Sequence, residues 1–97
     1  MKLNTYEVEL ILRIYPSIKK SGDQFTIMEI SFREFIICSV EKWLNYLYDD
    51  EKEIINLRYF KNYKLDHIAG YLGYKNHSSV LKKCNSILEK IKYKFYN

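Results

Sequence analysis

Apolar side chains recur along this chain at steps of three and four, the spacing that places them on one face of an α-helix, so the pattern predicts helices. Val8, Ile11, Leu12 and Tyr15 form the first such stripe, and Asn4-Thr5-Tyr6-Glu7 ahead of it is a capping box that starts a helix there. Pro16 lacks an N–H and disfavours helix at the residue before it, so this helix is expected to stop or kink near Ile14, with a short continuation over residues 17–20. Ser21-Gly22-Asp23 reads as a loop and residues 24–30 as irregular. A second capping box, Ser31-Phe32-Arg33-Glu34, opens a stripe of Phe35, Ile36, Val40, Trp43, Leu44 and Leu47. A third start signal, Asp50-Glu51-Lys52-Glu53, sets acids at the positive end of a helix dipole and predicts a helix over about 50–61.

Beyond it, Asn62-Tyr63-Lys64 is a short connection to a helix over 65–72, which Gly73 ends because glycine takes a positive φ without a steric cost. The last helix begins near residues 76–78. Its stripe is Val80, Cys84, Ile87, Leu88 and Ile91, which leaves Ser79, Lys82, Lys83 and Ser86 off the apolar face. The expected architecture is all-α: a helical N-terminal segment over 1–48 packed on a C-terminal helix-turn-helix over 49–97, sharing one core, since 97 residues do not suffice for two of ordinary size.

Charge changes the picture. Residues 1–57 hold 7 Lys/Arg against 10 Asp/Glu, a net of −3, while residues 58–97 hold 9 against 2, a net of +7. Such asymmetry suits a chain of which one half meets a polyanion. The composition, 47% hydrophobic and 29% charged, is that of a globular domain, and no apolar run reaches membrane-spanning length. With no signal-peptide layout at the N-terminus, a cytoplasmic location is expected and no membrane partner. Cys38 and Cys84 have no CxxC partner and read as core thiols.

From Glu51 onward the chain resembles region 4 of primary-type bacterial sigma factors. The likeness rests on Glu53-Ile54-Ile55-Asn56-Leu57-Arg58-Tyr59-Phe60, Leu65-Asp66-His67-Ile68-Ala69, Leu72-Gly73-Tyr74 and Val80. With its short length, the chain looks most like small phage late-gene activators of the ArpU and RinA type. In sigma factors the Val lies six residues after the turn Gly; here Val80 lies seven after Gly73, so one extra residue sits in the turn. With that residue, Gly73-Tyr74-Lys75-Asn76-His77-Ser78-Ser79-Val80-Leu81 is similar to the signature of the replication initiator DnaA, whose His and Thr positions meet DNA. Both resemblances imply DNA binding, with a recognition helix over about 77–95 in the major groove.

The candidate DNA-binding residues are Lys75, Asn76, His77, Ser78, Ser79, Lys82, Lys83 and Ser86. Lysines supply salt-dependent phosphate contacts. Asn76 is suited to adenine readout or to capping; Ser78 and Ser79 read as helix caps, which accounts for one of them and leaves the other free to reach a phosphate or base edge; and His77 reads either as a DNA contact or as an exposed turn residue. Arg58 and Lys61 are placed either to grip the DNA backbone or to pair with the preceding acids, and Lys90, Lys92 and Lys94 to solubilise the C-terminal end. His67 has no ligand partner at metal-like spacing, and no nucleophile–base pair, phosphate-binding glycine loop or paired-carboxylate constellation is present. Neither catalysis, a metal nor a cofactor is expected. The expected function is sequence-specific transcription regulation on double-stranded DNA, with RNA polymerase as a further partner of the N-terminal half. A two-fold homodimer is the expected assembly, with Trp43, Leu44 or Leu47 near its interface, unless that stripe is consumed in packing on the helix over 50–61. The rival reading is a protein-interaction module, a sigma-region-4 mimic or phage inhibitor.

Overall fold

A computed structural model describes residues 2–20 and 27–97, with side chains from residue 30 onward in the second segment. Every regular element among the described residues is helical: α1 (Thr5–Lys20), α2 (Ile27–Tyr46), α3 (Asp49–Ile55) running on into a π-helical turn (Asn56–Phe60), α4 (Leu65–Leu72) and α5 (His77–Tyr96).

The capping box at Asn4 forms as its sequence dictates. The Asn4 side chain accepts the Glu7 N–H at 2.8 Å, and the Glu7 carboxylate accepts the Asn4 N–H at 3.0 Å. Of the stop or kink expected near Ile14, the stop does not occur: α1 passes through Pro16, and the short continuation expected over 17–20 is part of the same helix. The missing hydrogen bond is offset by what the extra turn gains: Ile18 packs against the core, and Lys19 donates to the Tyr15 hydroxyl at 3.0 Å.

The start of α2 is also corrected. The helix begins at Ile27, so residues 27–30, expected to be irregular, are helical, and the Ser31 capping box lies inside a helix. The loop expected at Ser21-Gly22-Asp23 and the irregular stretch at 24–26 lie outside the described residues. Ile36, Val40 and Trp43 form the buried face of α2, with Leu47 buried just past its end, while Phe35, Ile37 and Leu44 pack at its rim. Cys38 falls off that face and is exposed, so only Cys84 is the core thiol that both cysteines were expected to be.

In α3, the N–H of Tyr48 donates to the Glu51 carboxylate at 2.9 Å, which closes the helix start. The widening into a π turn follows from sequence. A regular helix with Glu51, Ile54 and Ile55 inward would carry position 58 inward as well, and position 58 is arginine. The wider turn, with the Lys61 N–H reaching the Asn56 carbonyl at 2.8 Å, buries Leu57 and Tyr59 instead and leaves Arg58 at the rim. Arg58 then donates to the Tyr63 carbonyl at 3.1 Å, across a connection in which Asn62 takes the left-handed conformation.

Gly73 ends α4 at φ 79°, and the Tyr74 N–H reaches back to the Ala69 carbonyl at 2.9 Å, the six-to-one bond of a Schellman turn. All five apolar stripe positions of α5 are buried. The helices close on one core. α1 packs on α2, on the π turn and on α5, while α4 and α3 pack on α5. Trp43 is fully buried, and its indole N–H donates to the Tyr96 hydroxyl at 3.1 Å, tying α2 to the end of α5. Trp43 and Leu47 are therefore consumed inside the chain, which removes both from the interface expected of them, and the main neighbour of α2 is α1 rather than α3. No helix among the described residues is long and apolar enough to cross a membrane.

Candidate nucleic-acid interface

Four residues join α4 to α5, and the geometry of that turn decides which polar groups remain available. Asn76 is the N-cap of α5. Its side-chain oxygen accepts the Ser79 N–H at 3.0 Å and the Ser79 hydroxyl at 3.2 Å. The capping reading of Asn76 is thus the one realised, and Ser79, half-buried, has its hydroxyl proton committed to the same oxygen. Of the two serines, Ser78 is the exposed one.

His77 stands beside α4, with Nδ1 3.2 Å from the Asp66 carboxylate. On the opposite edge of α5, Lys83 lies 3.7 Å from Asp50 of α3. These contacts place an acid of a neighbouring helix on each flank of the helix N-terminal half. Between them runs an outward ridge of Ser78, Leu81, Lys82 and Asn85, residues at i, i+3, i+4 and i+7 that share one side of the helix, with Ser86 next to it; all five are exposed. Lys75 in the turn and Lys82 on the ridge have no ion-pair partner among the described residues.

The eight sequence candidates therefore divide into three groups. Lys75, Ser78, Lys82 and Ser86 are exposed and uncommitted; Asn76 and Ser79 bond each other; His77 and Lys83 pair with acids of neighbouring helices. Sequence reasoning passed over Leu81, Asn85 and Tyr71. The first two lie on the same ridge as Lys82, and their spacing from Ser78 is the signal that finds them. Tyr71 is 67% exposed on α4.

The C-terminal lysines are more than a solubilising tail. Lys90 donates to the buried Glu51 carboxylate at 2.8 Å, and its ammonium lies 4.0 Å from the centre of the Tyr48 ring and 5.2 Å from that of Tyr46. The hydrogen bond to Glu51 is the main reason its pKa is raised. Lys94 lies over the Tyr46 ring at 5.4 Å. Arg58 donates to a backbone carbonyl and forms no ion pair with the preceding acids among the described residues, whereas Lys61 is exposed. Next to the turn, Asp50 and Glu53 line a cleft of about 210 Å³ with Ile54, Leu72, Gly73 and Tyr74, which makes that side acidic. His67 sets its ring edge-on to Tyr63, and no three His, Cys, Asp or Glu side chains converge among the described residues. Set against protein-family models, curated proteins and solved structures, the chain matches none of them.

Proposed function

We propose that the chain is a sequence-specific, double-stranded-DNA-binding transcription regulator, of the small phage or mobile-element kind its C-terminal half resembles, with α5 entering the major groove. The observation that carries this reading is the outward ridge of α5. It is exposed, polar but for Leu81, and carries Lys82, which has no ion-pair partner among the described residues, and it begins at a turn carrying a second such lysine, Lys75. A helix with one buried stripe and one open polar ridge matches the width of the major groove. Lys75 and Lys82 would hold phosphates, and the ridge would face base edges.

One flanking pair tempers the electrostatics. With Lys83 matched to Asp50, an acid from outside residues 58–97, the local positive charge is smaller than the +7 of that stretch implies, so affinity leans on fewer phosphate contacts. Titration of the protein with duplex fragments from its native neighbourhood, at several salt concentrations, tests the reading. Saturable binding to one fragment that weakens as salt rises is the expected result.

A second reading is favoured by one observation: Tyr71 and Leu81, at 67% and 43% exposure, put apolar surface on the same two helices. Such surface suits a protein partner, RNA polymerase among them. Failure to bind any duplex at low salt, together with co-sedimentation with RNA polymerase, would move the function to this class.

A further inference from the structure

We infer that Leu81 and Asn85, rather than the Asn76 to Ser79 corner, are the residues of this chain that read base identity, and that they read A·T pairs in the major groove. The inference rests on the DNA-binding reading and deepens it by assigning the chemistry of the site.

The first step is elimination by hydrogen bonding. Asn76 caps α5, and the bonds its oxygen accepts from the Ser79 backbone and hydroxyl hold it at the helix start. Turning that amide toward a base would uncap the helix and strip Ser79 of its partner. His77 is held toward α4 by Asp66, and a carboxylate at 3.2 Å sits poorly against DNA. These groups are set up to build the turn.

The second step is position. Leu81 and Asn85 stand four residues apart on the open ridge, about 6 Å along the helix axis, close to two base-pair steps of about 3.4 Å. Both are exposed, Leu81 at the edge of the buried stripe and Asn85 farther round the helix, and neither belongs to the core cluster. Lys82 lies beside them, placed to anchor the ridge on a phosphate.

The third step is chemistry. An Asn side chain can donate to N7 of adenine while accepting from its N6 amino group, a two-point contact that no other base offers in the same pattern. Leu81 keeps 43% of its surface exposed in the free protein, and in the major groove the natural neighbour of that apolar surface is the thymine methyl. The pair thus specifies adenine and thymine at closely spaced positions, and Ser78, able to donate and to accept, adds little discrimination of its own.

The test selects sites from randomised duplexes with the full-length chain and with Leu81→Ala, Asn85→Ala and Ser79→Ala, each checked for helix content by circular dichroism. Wild-type protein should select a site containing adenine and thymine. Asn85→Ala should lose about five- to a hundred-fold of the preference at one adenine, with much less loss on scrambled DNA. Replacing thymines of the selected site by deoxyuridine, which removes only the methyl, should weaken wild-type binding about fourfold at one position and leave Leu81→Ala unaffected. If both variants keep the wild-type preference, or lose affinity equally on all sequences, the assignment is overturned while DNA binding stands. If specificity collapses in folded Ser79→Ala alone, the corner is the reader and the inference is wrong. If wild-type protein binds no duplex, both the inference and the function beneath it fall.

Discussion

Both ends of α5 carry lysines, and the two ends do opposite work. Toward the N-terminus, Lys82 projects from an open ridge, and the nearby acids Asp66 and Asp50 hold only the edges of the helix. Toward the C-terminus, Lys90 is gripped by a buried carboxylate and two tyrosine rings, while Phe95 and Tyr96 pack on Tyr46 and Trp43. One end is held by the protein and the other is left for something else. Counting positive charges along residues 58–97 cannot separate these roles, since each cation is defined by what it meets in space.

The largest effect belongs at the held end. Trp43→Ala should lower stability by about 3–5 kcal/mol in denaturant unfolding, because it empties a fully buried site and strands the Tyr96 hydroxyl. A loss below about 1 kcal/mol would mean that the end of α5 is not anchored as described and that the contrast between its two ends fails.

Lys90→Met comes next, a change that keeps the stem over the rings and removes the charge. Glu51, buried, would retain only the Tyr48 N–H, and stability should fall by about 1–2 kcal/mol. The salt slope of DNA binding should not change. The same pair sets an alkaline limit. Lys90 has its pKa raised above the ordinary 10.5, mainly through the hydrogen bond to Glu51, so its contribution is whole below that value and is lost as pH rises through the folded pKa. Tyr59 acts in the same direction: burial raises its pKa well above 10.0, so the unfolded chain ionises first and stability falls above about pH 10. Alkaline unfolding should therefore start near pH 10 in wild type and be less steep in Tyr59→Phe; equal steepness would assign the limit elsewhere.

What the sequence made legible was local. The Asn4 capping box, the helix over 65–72, the turn at Gly73 and the five-residue stripe of α5 each follow from neighbours within a turn or two, and all are present. The features that escaped depend on partners far along the chain. Pro16 stays helical because its helix has core to cover; α3 widens because Arg58 falls where Ile54 and Ile55 point inward; Lys90 finds Glu51 across 39 positions. The candidate interface was half legible for the same reason. Asn76 and Ser79 engage each other three residues apart, a capping role legible beside base readout, whereas only the packing of α4 and α3 against α5 shows that His77 and Lys83 face acids. Leu81 falls outside the apolar stripe of α5 and was passed over because the candidates were chosen among polar side chains.

A smaller effect, of opposite sign, is expected on α4. Gly70 has an ordinary backbone conformation, and a Cβ built there meets nothing within 4 Å. Gly70→Ala should therefore stabilise the fold by about 0.5–1 kcal/mol through the lower entropy of the unfolded chain. If the variant gains stability yet binds DNA less well, the open side of α4 lies against the duplex; unchanged binding would confine the contact to α5.

The smallest effect on stability and the sharpest test of the contrast is Lys82→Ala. An exposed lysine with no ion pair among the described residues should change unfolding free energy by less than about 0.5 kcal/mol. The slope of log affinity against log salt should nonetheless flatten by about one unit, the loss of one phosphate contact. Adding Lys83→Ala should bring the total toward about two units only if Lys83 leaves Asp50 for a phosphate on binding, so a double variant that matches the single one would keep Lys83 as a tie between α5 and α3. Lys82→Ala and Lys90→Met thus form a crossed pair, one shifting the salt slope at constant stability and the other shifting stability at constant slope. If the two exchange behaviour, or if both change both quantities, the division of α5 into a held end and a presented end is wrong.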